Sequence, residues 1–469
     1  MTLEAILLSA VAISPSDSTI WQLPELAFDN PAVKQWMLPD SHSRVAIIGD
    51  YSHSSEKILP LQGNGEYRWG VDASSYMKSG KSTVWGSAHY DNGRQTGRIL
   101  NETSDPEMVY PYFTIDTIGG PMQMEHYSFS GGYATTNGKW AWGATASYDA
   151  GLYFRARDPR PRNTTGKLNL SVGGGYRVFS DYFAAASFAW MKYKQSNDID
   201  FKSEMGVEKI YHYTGLGNHY VRFVGTGYDC SYTGHSETIS LNLYPQSGKG
   251  FSVSAALQKY SLKKILTELN KLPLADVRQY HFDGQVSWVS TNGLGAVADV
   301  SIWRRRGYEN IFGDASSGIY PVIGRFHRYS HTGYDIKAKA LKLWHLRKST
   351  LFTAAVGAGI LNNEFVYVTP AQTRNATAAQ IQANTNITMP IRRWRAAFAL
   401  DYKGYIPYST LRLADSVFGG PVNTVATRAS LSAPLTSKLT INISATYSHT
   451  AYCSAISNNA VSGALAIIF

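Results

Sequence analysis

The side chains best equipped for chemistry in this chain are histidines and carboxylates set among tyrosines. They concentrate in the stretch 195–235, which holds Asp198, Asp200, His212, His219, Arg222, Asp229 and His235. Imidazole and carboxylate groups can ligate a metal or relay a proton where they converge. The spacing of His212, His219 and His235 matches no ligand pattern, and Asn197-Asp198-Ile199-Asp200 lacks the glycine and distal glutamate of a calcium loop. Solvated or hydrogen-bonded histidines are the simpler reading, so no metal and no cofactor is assigned. A connection this long in a compact protein is functional or disordered. Its wealth of Tyr and Gly over Ser, Lys and Glu predicts order, with His212, His219, Arg222 and His235 as candidates for a gating loop that constricts or caps a mouth.

Other chemistry-bearing residues are more scattered. His89, His126, His327, His331 and His449 fall where the rim of a barrel could lie, but no pair sits in a recognisable catalytic motif, and the chain is expected not to be an enzyme. The run Asn101-Glu102-Thr103-Ser104-Asp105-Pro106-Glu107, beside Tyr110 and Tyr112, admits a carbohydrate or cation contact, or a loop packed on its own side chains, the commoner outcome. Leu262, Ile265, Leu266, Leu269 and Leu272, with Lys263, Lys264 and Lys271 nearby, have the spacing of a short amphipathic helix packed on a rim.

A second constellation consists of charges on one face of alternating segments: Asp149, Arg155, Asp299, Lys337, Lys339, Arg395, Asp401 and Lys403. Pointed into a pore, opposed acidic and basic rows set a field that selects permeants by size and charge. The same groups can instead pair with one another and fill a closed polar lumen. The pattern accommodates both.

What must position these residues is a set of strands. Leu439, Ile441, Ile443, Ala445 and Tyr447 alternate with Thr440, Asn442, Ser444, Thr446 and Ser448, the period of two that marks a strand with one apolar face. Val461, Gly463, Leu465, Ile467 and Phe469 repeat the pattern to the final residue. An apolar alternation ending on Phe resembles the C-terminal sorting signal of bacterial outer-membrane barrels, here carried by Leu465, Ile467 and Phe469. Trp140 to Arg155 and Trp394 to Lys403 alternate in the same way, charged on one face and aromatic or aliphatic on the other.

From about residue 43 onward one plan repeats: strand, tight turn, strand, longer polar loop. Short turns sit near Ser79-Gly80-Lys81, Asn137-Gly138, Ser180-Asp181, 246–250, Thr291-Asn292-Gly293, Arg347-Lys348, 390–393 and Thr436-Ser437. Longer connections fall near 54–65, 91–121, 158–166, 195–235, 265–278, 309–325, 369–377, 407–420 and 453–459. The expectation is an all-β, transmembrane, antiparallel up-and-down β-barrel of about eighteen strands, with short periplasmic turns and long extracellular loops.

Composition agrees. The 469 residues include 31 Tyr, 11 Trp and 41 Gly, which barrels use for interface girdles and close packing, and only two Cys, which give no disulfide framework. The net charge of +10 comes from dispersed Lys and Arg with no nucleic-acid cluster; a positive lumen or contacts to lipopolysaccharide fit it better. No stretch approaches the roughly eighteen apolar residues of a spanning helix, so only a closed barrel could cross a membrane. Residues 1–15 resemble an atypical or truncated signal peptide, with an apolar run over 6–13 preceded by Glu4 and no Lys or Arg. Residues 16–42, with Leu23-Pro24, Asn30-Pro31 and Leu38-Pro39, read as a periplasmic or lumenal lead-in, and 43–469 as the barrel.

Several motifs together resemble one family. Ser82-Thr83-Val84-Trp85-Gly86, Val109-Tyr110-Pro111-Tyr112, Tyr127-Ser128-Phe129-Ser130-Gly131-Gly132-Tyr133, Asp158-Pro159-Arg160-Pro161 and Thr214-Gly215-Leu216-Gly217 are similar to an uncharacterised family of Bacteroidota outer-membrane β-barrel proteins, a domain of unknown function. The resemblance implies an integral outer-membrane location and a place beside TonB-dependent uptake, and it supplies no catalytic residues. The functional expectation is a porin-like conduit or accessory subunit of a nutrient-uptake complex. The alternatives are a non-conducting barrel whose outer loops bind a lipoprotein or glycan, and a rim-site enzyme. Expected partners are outer-membrane lipids and lipopolysaccharide, the barrel assembly machinery, and a TonB-dependent receptor or surface lipoprotein; nucleic acid is not among them.

Overall fold

Alternating segments joined by turns pair with their chain neighbours, and here that rule runs around a full circle. The computed structural model describes residues 29–34, 41–55, 63–179, 181–203, 209–225, 229–316, 318–346, 349–407, 422–451 and 457–469. In chain order the strands are β1 (His42–Ser54), β2 (Gly65–Ser79), β3 (Ser82–Arg98), β4 (Thr114–Ile115), β5 (Gly120–Asn137), β6 (Trp140–Phe154), β7 (Arg160–Arg177), β8 (Tyr182–Asp200), β9 (Tyr211–Gly215) and β10 (Asn218–His219). They continue as β11 (Cys230–Pro245), β12 (Gly250–Leu266), β13 (Leu272–Val289), β14 (Leu294–Phe312), β15 (Val322–His345), β16 (Leu351–Tyr367), β17 (Gln372–Ile391), β18 (Trp394–Pro407), β19 (Asn423–Pro434), β20 (Thr440–Ala451) and β21 (Ser457–Ile468).

Eighteen strands form one antiparallel sheet, and β4, β9 and β10 form a second of three. Closure comes from the first and last strands of the large sheet, in register from Arg44 opposite Ile468 to Ser54 opposite Asn458. Leu465 and Ile467 therefore sit in the closing seam with their side chains outward, and Phe469 extends the seam through backbone hydrogen bonds to Ser43. No helix among the described residues is long and apolar enough to cross a membrane, which says nothing about strands.

Period two sorts the wall into two faces. Outward lie Ile47, Trp69, Phe129, Trp142, Val172, Phe251, Val356, Phe398 and Ile443, all exposed. Leaving a large apolar side chain in water forgoes about 1.5–3 kcal/mol, so a complete belt of them requires an apolar surrounding. The belt reaches down to the short turns, through Met77, Trp140, Trp344 and Trp394. A spanning strand needs only about 9–11 residues, whereas β15 has 24 and β17 has 20. The surplus rises beyond the belt at the long-loop end.

Three described segments enter the barrel. At the short-turn end Asn30 caps a single 3-10 turn, Pro31–Val33, its side-chain oxygen accepting from Ala32 N–H at 3.0 Å. Ala32 and Val33 pack on Ala141, Phe183, Ala185 and Tyr244, and Tyr76 Oη donates to Lys34 O at 2.8 Å. Glycines make the groove: a Cβ on Gly143 would lie 2.5 Å from the Pro31 backbone, and one on Gly173 would lie 2.1 Å from Asn30 Oδ1. At the opposite end, residues 99–119 and 209–225 fold inward and meet through the small sheet, with Thr114 opposite His212 and Ile115 opposite Tyr211.

Two expectations are corrected here. No amphipathic helix forms over Leu262–Leu272: β12 runs to Leu266, β13 starts at Leu272, and residues 267–271 turn between them with Asn270 and Lys271 in the left-handed region. Leu262 and Leu266 also satisfy period two, and the inward loops give that face something to cover, so the strand continues. The long connection expected over 195–235 likewise shrinks, because β8 extends to Asp200 and β11 begins at Cys230. The signal-like run over 6–13, most of the lead-in, the turn at Arg347-Lys348, nearly all of 407–420 and residues 453–456 lie outside the described residues.

Candidate functional site

The inward loops form a plug at the long-loop end of the barrel. Its core is aromatic: Tyr110, Tyr112, Phe113, Leu216 and Phe223 are buried against Tyr193, Tyr260, Leu274, Phe312, Tyr329 and Tyr367 of the inner wall. Each large ring removed from water contributes on the order of 2 kcal/mol, which offsets the entropy of ordering long loops. Burial also pushes the Tyr110 and Tyr112 phenols well above their usual pKa, so both remain neutral.

Hydrogen bonds stitch the plug to the wall on several sides. Arg305 donates to Glu107 O and Met108 O, both at 2.8 Å, and Tyr260 Oη donates to Met108 O at 3.1 Å. Tyr193 Oη donates to Asp105 Oδ2 at 2.8 Å. Asn163 and Asn197 both donate to Glu102 O, at 2.8 and 2.7 Å. Thr214 and Tyr367 share a hydroxyl contact of 3.0 Å, and Tyr220 Oη donates to Leu274 O at 2.8 Å.

The acidic loop run is thus self-packed and buried rather than displayed: Asn101, Glu102, Thr103 and Ser104 are all inside. Arg155, just past β6, donates to Glu102 Oε1 at 3.0 Å and also pairs with Asp116. Burial and the neighbouring Asp116 carboxylate hold the Glu102 pKa well above its ordinary value, against Arg155 and Arg98. Asp116 is depressed despite its own burial, because Glu102, Arg155 and the Gly119 N–H all hydrogen-bond its charged form. The pair thus divides its roles, Glu102 being the carboxyl that holds a proton more tightly and Asp116 the one that gives it up.

The gating-loop candidates separate. His212 is buried in β9, and His219 is exposed on β10 with its ring against Tyr211. Arg222 Nη1 donates to Phe312 O at 2.6 Å, tying the second loop to β14. His235 is not in the loop: it stands on the outward face of β11, within 3.2 Å of Ser261 Oγ, because pairing with β8 and β12 continues past it.

All eight charged candidates have inward parity. Asp149 accepts from Ser128 Oγ at 2.7 Å and lies 3.3 Å from Lys167. Asp299, Lys337 and Lys339 line a cavity of about 150 Å³ with Gln285 and Gln382. Lys337 pairs with Asp335 at 3.2 Å, Asp401 accepts from Asn384 at 2.7 Å, and Lys403 lies over the Tyr405 ring. Arg395 is opposite Ser432 near the short turns. Only Arg155 leaves the open lumen, being sealed beneath the plug.

Sequence reasoning named His89 and His126 but did not join them. His89 and Asp91 are two residues apart on β3, and His126 of β5 is directly opposite Asp91. His89 Nε2 and His126 Nδ1 lie 2.9 and 3.3 Å from Asp91 Oδ2. The spacing His-x-Asp signals a shared face, but its partner on another strand follows only from the register. His331 is buried between Trp303 and Asn363, while His327 and His449 face outward.

No curated protein matches this sequence. Among solved structures it is similar to the ferric preacinetobactin receptor BauA from Acinetobacter baumannii, at 8% identity over 92% of this chain and 80% of that one, TM-score 0.46. It is similar to the copper transporter OprC at 9% identity over 88% of this chain, TM-score 0.44, and spans 62% of that protein's length. A monoaromatic hydrocarbon channel, CymD, matches at 10% identity over 98% of this chain and 97% of its own, TM-score 0.35. At these scores the likeness is a coarse one of barrels and carries nothing about cargo. The sequence itself is more specific: matched from Pro31 in the lumenal turn to Ser462 in the last strand, the chain belongs to the family of unknown function DUF6850.

Proposed function

We propose that this chain is an integral outer-membrane barrel acting as a gated conduit, its outer mouth shut by residues 99–119 and 209–225 until a partner draws them aside. The observation that carries this reading is the contrast between plug and lumen. The plug is a packed aromatic core confined to the long-loop end, whereas the wall below it is lined by Ser, Asn, Gln, Asp and Lys. A barrel built only as a scaffold has no need to keep a polar interior beneath a sealed cap.

The outward cations support the orientation. Arg162, Lys194, Lys263, Arg278, Arg304 and Arg325 are exposed beyond the apolar belt toward the long loops, where they would meet the phosphates of lipopolysaccharide. The partner that opens the plug would be a surface lipoprotein or a TonB-dependent receptor, making this chain an accessory subunit of a nutrient-uptake complex. Folding by the barrel assembly machinery through Leu465, Ile467 and Phe469 belongs to the same reading.

Single-channel recording in a planar bilayer tests it. The intact protein should be silent or flicker, and deletion of 99–119 together with 201–229 should give steady conductance. Silence in both forms would overturn the conduit and leave a non-conducting barrel that binds its partner through the outer loops.

A further inference from the structure

Beneath the plug, two imidazoles and a carboxylate are held at the spacing of ligands around one ion. We propose that His89, Asp91 and His126 bind a first-row divalent transition metal, of the zinc, nickel or copper class, on the lumen wall. One ligand atom from each residue lies within 4.8 Å of the other two, and two of the three separations are 2.9 and 3.3 Å. Bonds of about 2.0–2.1 Å in a tetrahedral shell place neighbouring ligand atoms about 3.3 Å apart, so little movement is needed to admit the ion. The scaffold is rigid, since all three residues sit on paired strands rather than in loops.

Three further observations point to a cation. Asp72 is opposite His89 in the register, with its Oδ2 3.9 Å from His89 Nδ1. When Nε2 gives its lone pair to a metal the ring proton resides on Nδ1, and a carboxylate behind it fixes that tautomer. Charge agrees as well: four carboxylates, Asp50, Glu66, Asp72 and Asp91, gather on this wall in a chain whose net charge is +10, with Arg44 against Asp72 at 3.4 Å. Arg68 is turned to Glu66 and Asp50, at 2.9 and 3.7 Å. The His89 and His126 side chains also remain partly exposed to the lumen, 31% and 24%, so a fourth position is open to water or to a group arriving with the metal. Two nitrogens and one oxygen suit the borderline metals, whereas calcium and magnesium take all-oxygen shells. The site does not depend on whether the barrel conducts.

The test uses the full chain, purified in detergent and stripped with chelator. Calorimetric titration with Zn²⁺ or Ni²⁺ should show one site per chain, with Mg²⁺ and Ca²⁺ giving none, and the spectrum of bound Cu²⁺ should show coupling to two nitrogens. His89→Gln with His126→Gln should abolish the site, and Asp72→Asn should weaken it by about tenfold or more. His449→Gln, on the outer face, should leave it unchanged. Heat-modifiable gel mobility reports that each variant is folded, so lost binding is not lost structure. Absence of binding to the native chain, or retention in the folded double variant, overturns the proposal.

Discussion

Arg155 Nη1 donates to Glu102 Oε1 over 3.0 Å with both side chains shut away from solvent, and that bond joins the barrel wall to the start of the plug loop. The other terminal nitrogen of the same guanidinium pairs with Asp116 near the loop's end, and Nε donates to Pro159 O at 2.7 Å. One planar cation thus clips both ends of the loop 99–119 and the connection between β6 and β7. The fork geometry of arginine makes this possible, and a lysine could not reproduce it.

Removing that cation should release the plug while leaving the barrel intact. Arg155→Gln strands two buried carboxyls, a change that costs about 3–5 kcal/mol where a buried pair is broken. Limited proteolysis should then cut within 99–119 at rates at least tenfold above the native chain, with gel mobility of the folded barrel unchanged. Native-like resistance would mean that the aromatic core alone holds the loop.

The plug should loosen as pH rises. Glu102 has a raised pKa in the folded protein, so its share of stability is fully present below the usual value of 4.5 and is lost as pH climbs through the raised one. Asp116 is depressed, so its share is present above 3.8 and is lost as pH falls through its lowered value. The two shares overlap near pH 4, and as pH climbs from there toward the raised value the Glu102 share declines. Glu102→Gln keeps an oxygen to accept from Arg155 but has no proton to lose, so it should flatten the limb of a proteolysis or conductance profile that falls as pH rises. An identical limb in the variant would place the titration elsewhere.

Gly307 on β14 offers a steric test. A Cβ there would lie 2.4 Å from Tyr112 Oη and 2.9 Å from its Cζ, in a ring that is almost wholly buried. Gly307→Ala should therefore push Tyr112 off the wall, at a cost of about 1–3 kcal/mol for an overpacked core, and raise the open fraction in bilayer recordings. Gly49, whose Cβ would meet nothing, is the matched control. Equal behaviour of the two alanine variants would show that Tyr112 is not part of the closure.

Much of this was legible in the sequence because a barrel wall is a local pattern repeated. Turn chemistry such as Asn137-Gly138 and the alternation from Trp140 onward fix strand, face and neighbour together, and they led to eighteen strands with both described ends of the wall on the short-turn side. Strand ends were less legible. Leu262 to Leu272 reads as a helix because its leucines fit helical spacing, and only the plug, which gives one strand face something to cover, decides for two strands. The His89–Asp91–His126 convergence was hidden for a different reason: the pairing of Asp91 with His126 spans 35 residues and depends on a register that no single strand encodes.

Once the plug is withdrawn, the charges of the wall should set ion preference. Asp50, Glu66, Asp72 and Asp91 lie on β1 to β3, and Lys337 and Lys339 lie on β15, on the far side of the ring of strands. A permeant ion therefore passes between the acidic side chains of β1 to β3 and, opposite them, two lysines set among Asp299 and Asp335. Inverting one lysine changes the local charge by two units, which at about 8 Å through water alters an ion's energy by about 1 kcal/mol, roughly fivefold in relative permeability. In the plug-deleted background, Lys337→Glu with Lys339→Glu should shift the reversal potential toward cations by at least that factor at low salt, and less at high salt as screening shortens the field. An unchanged reversal potential would show that ions take a path away from the Lys337–Lys339 face, and that the cavity beside Asp299 is a closed recess in the wall.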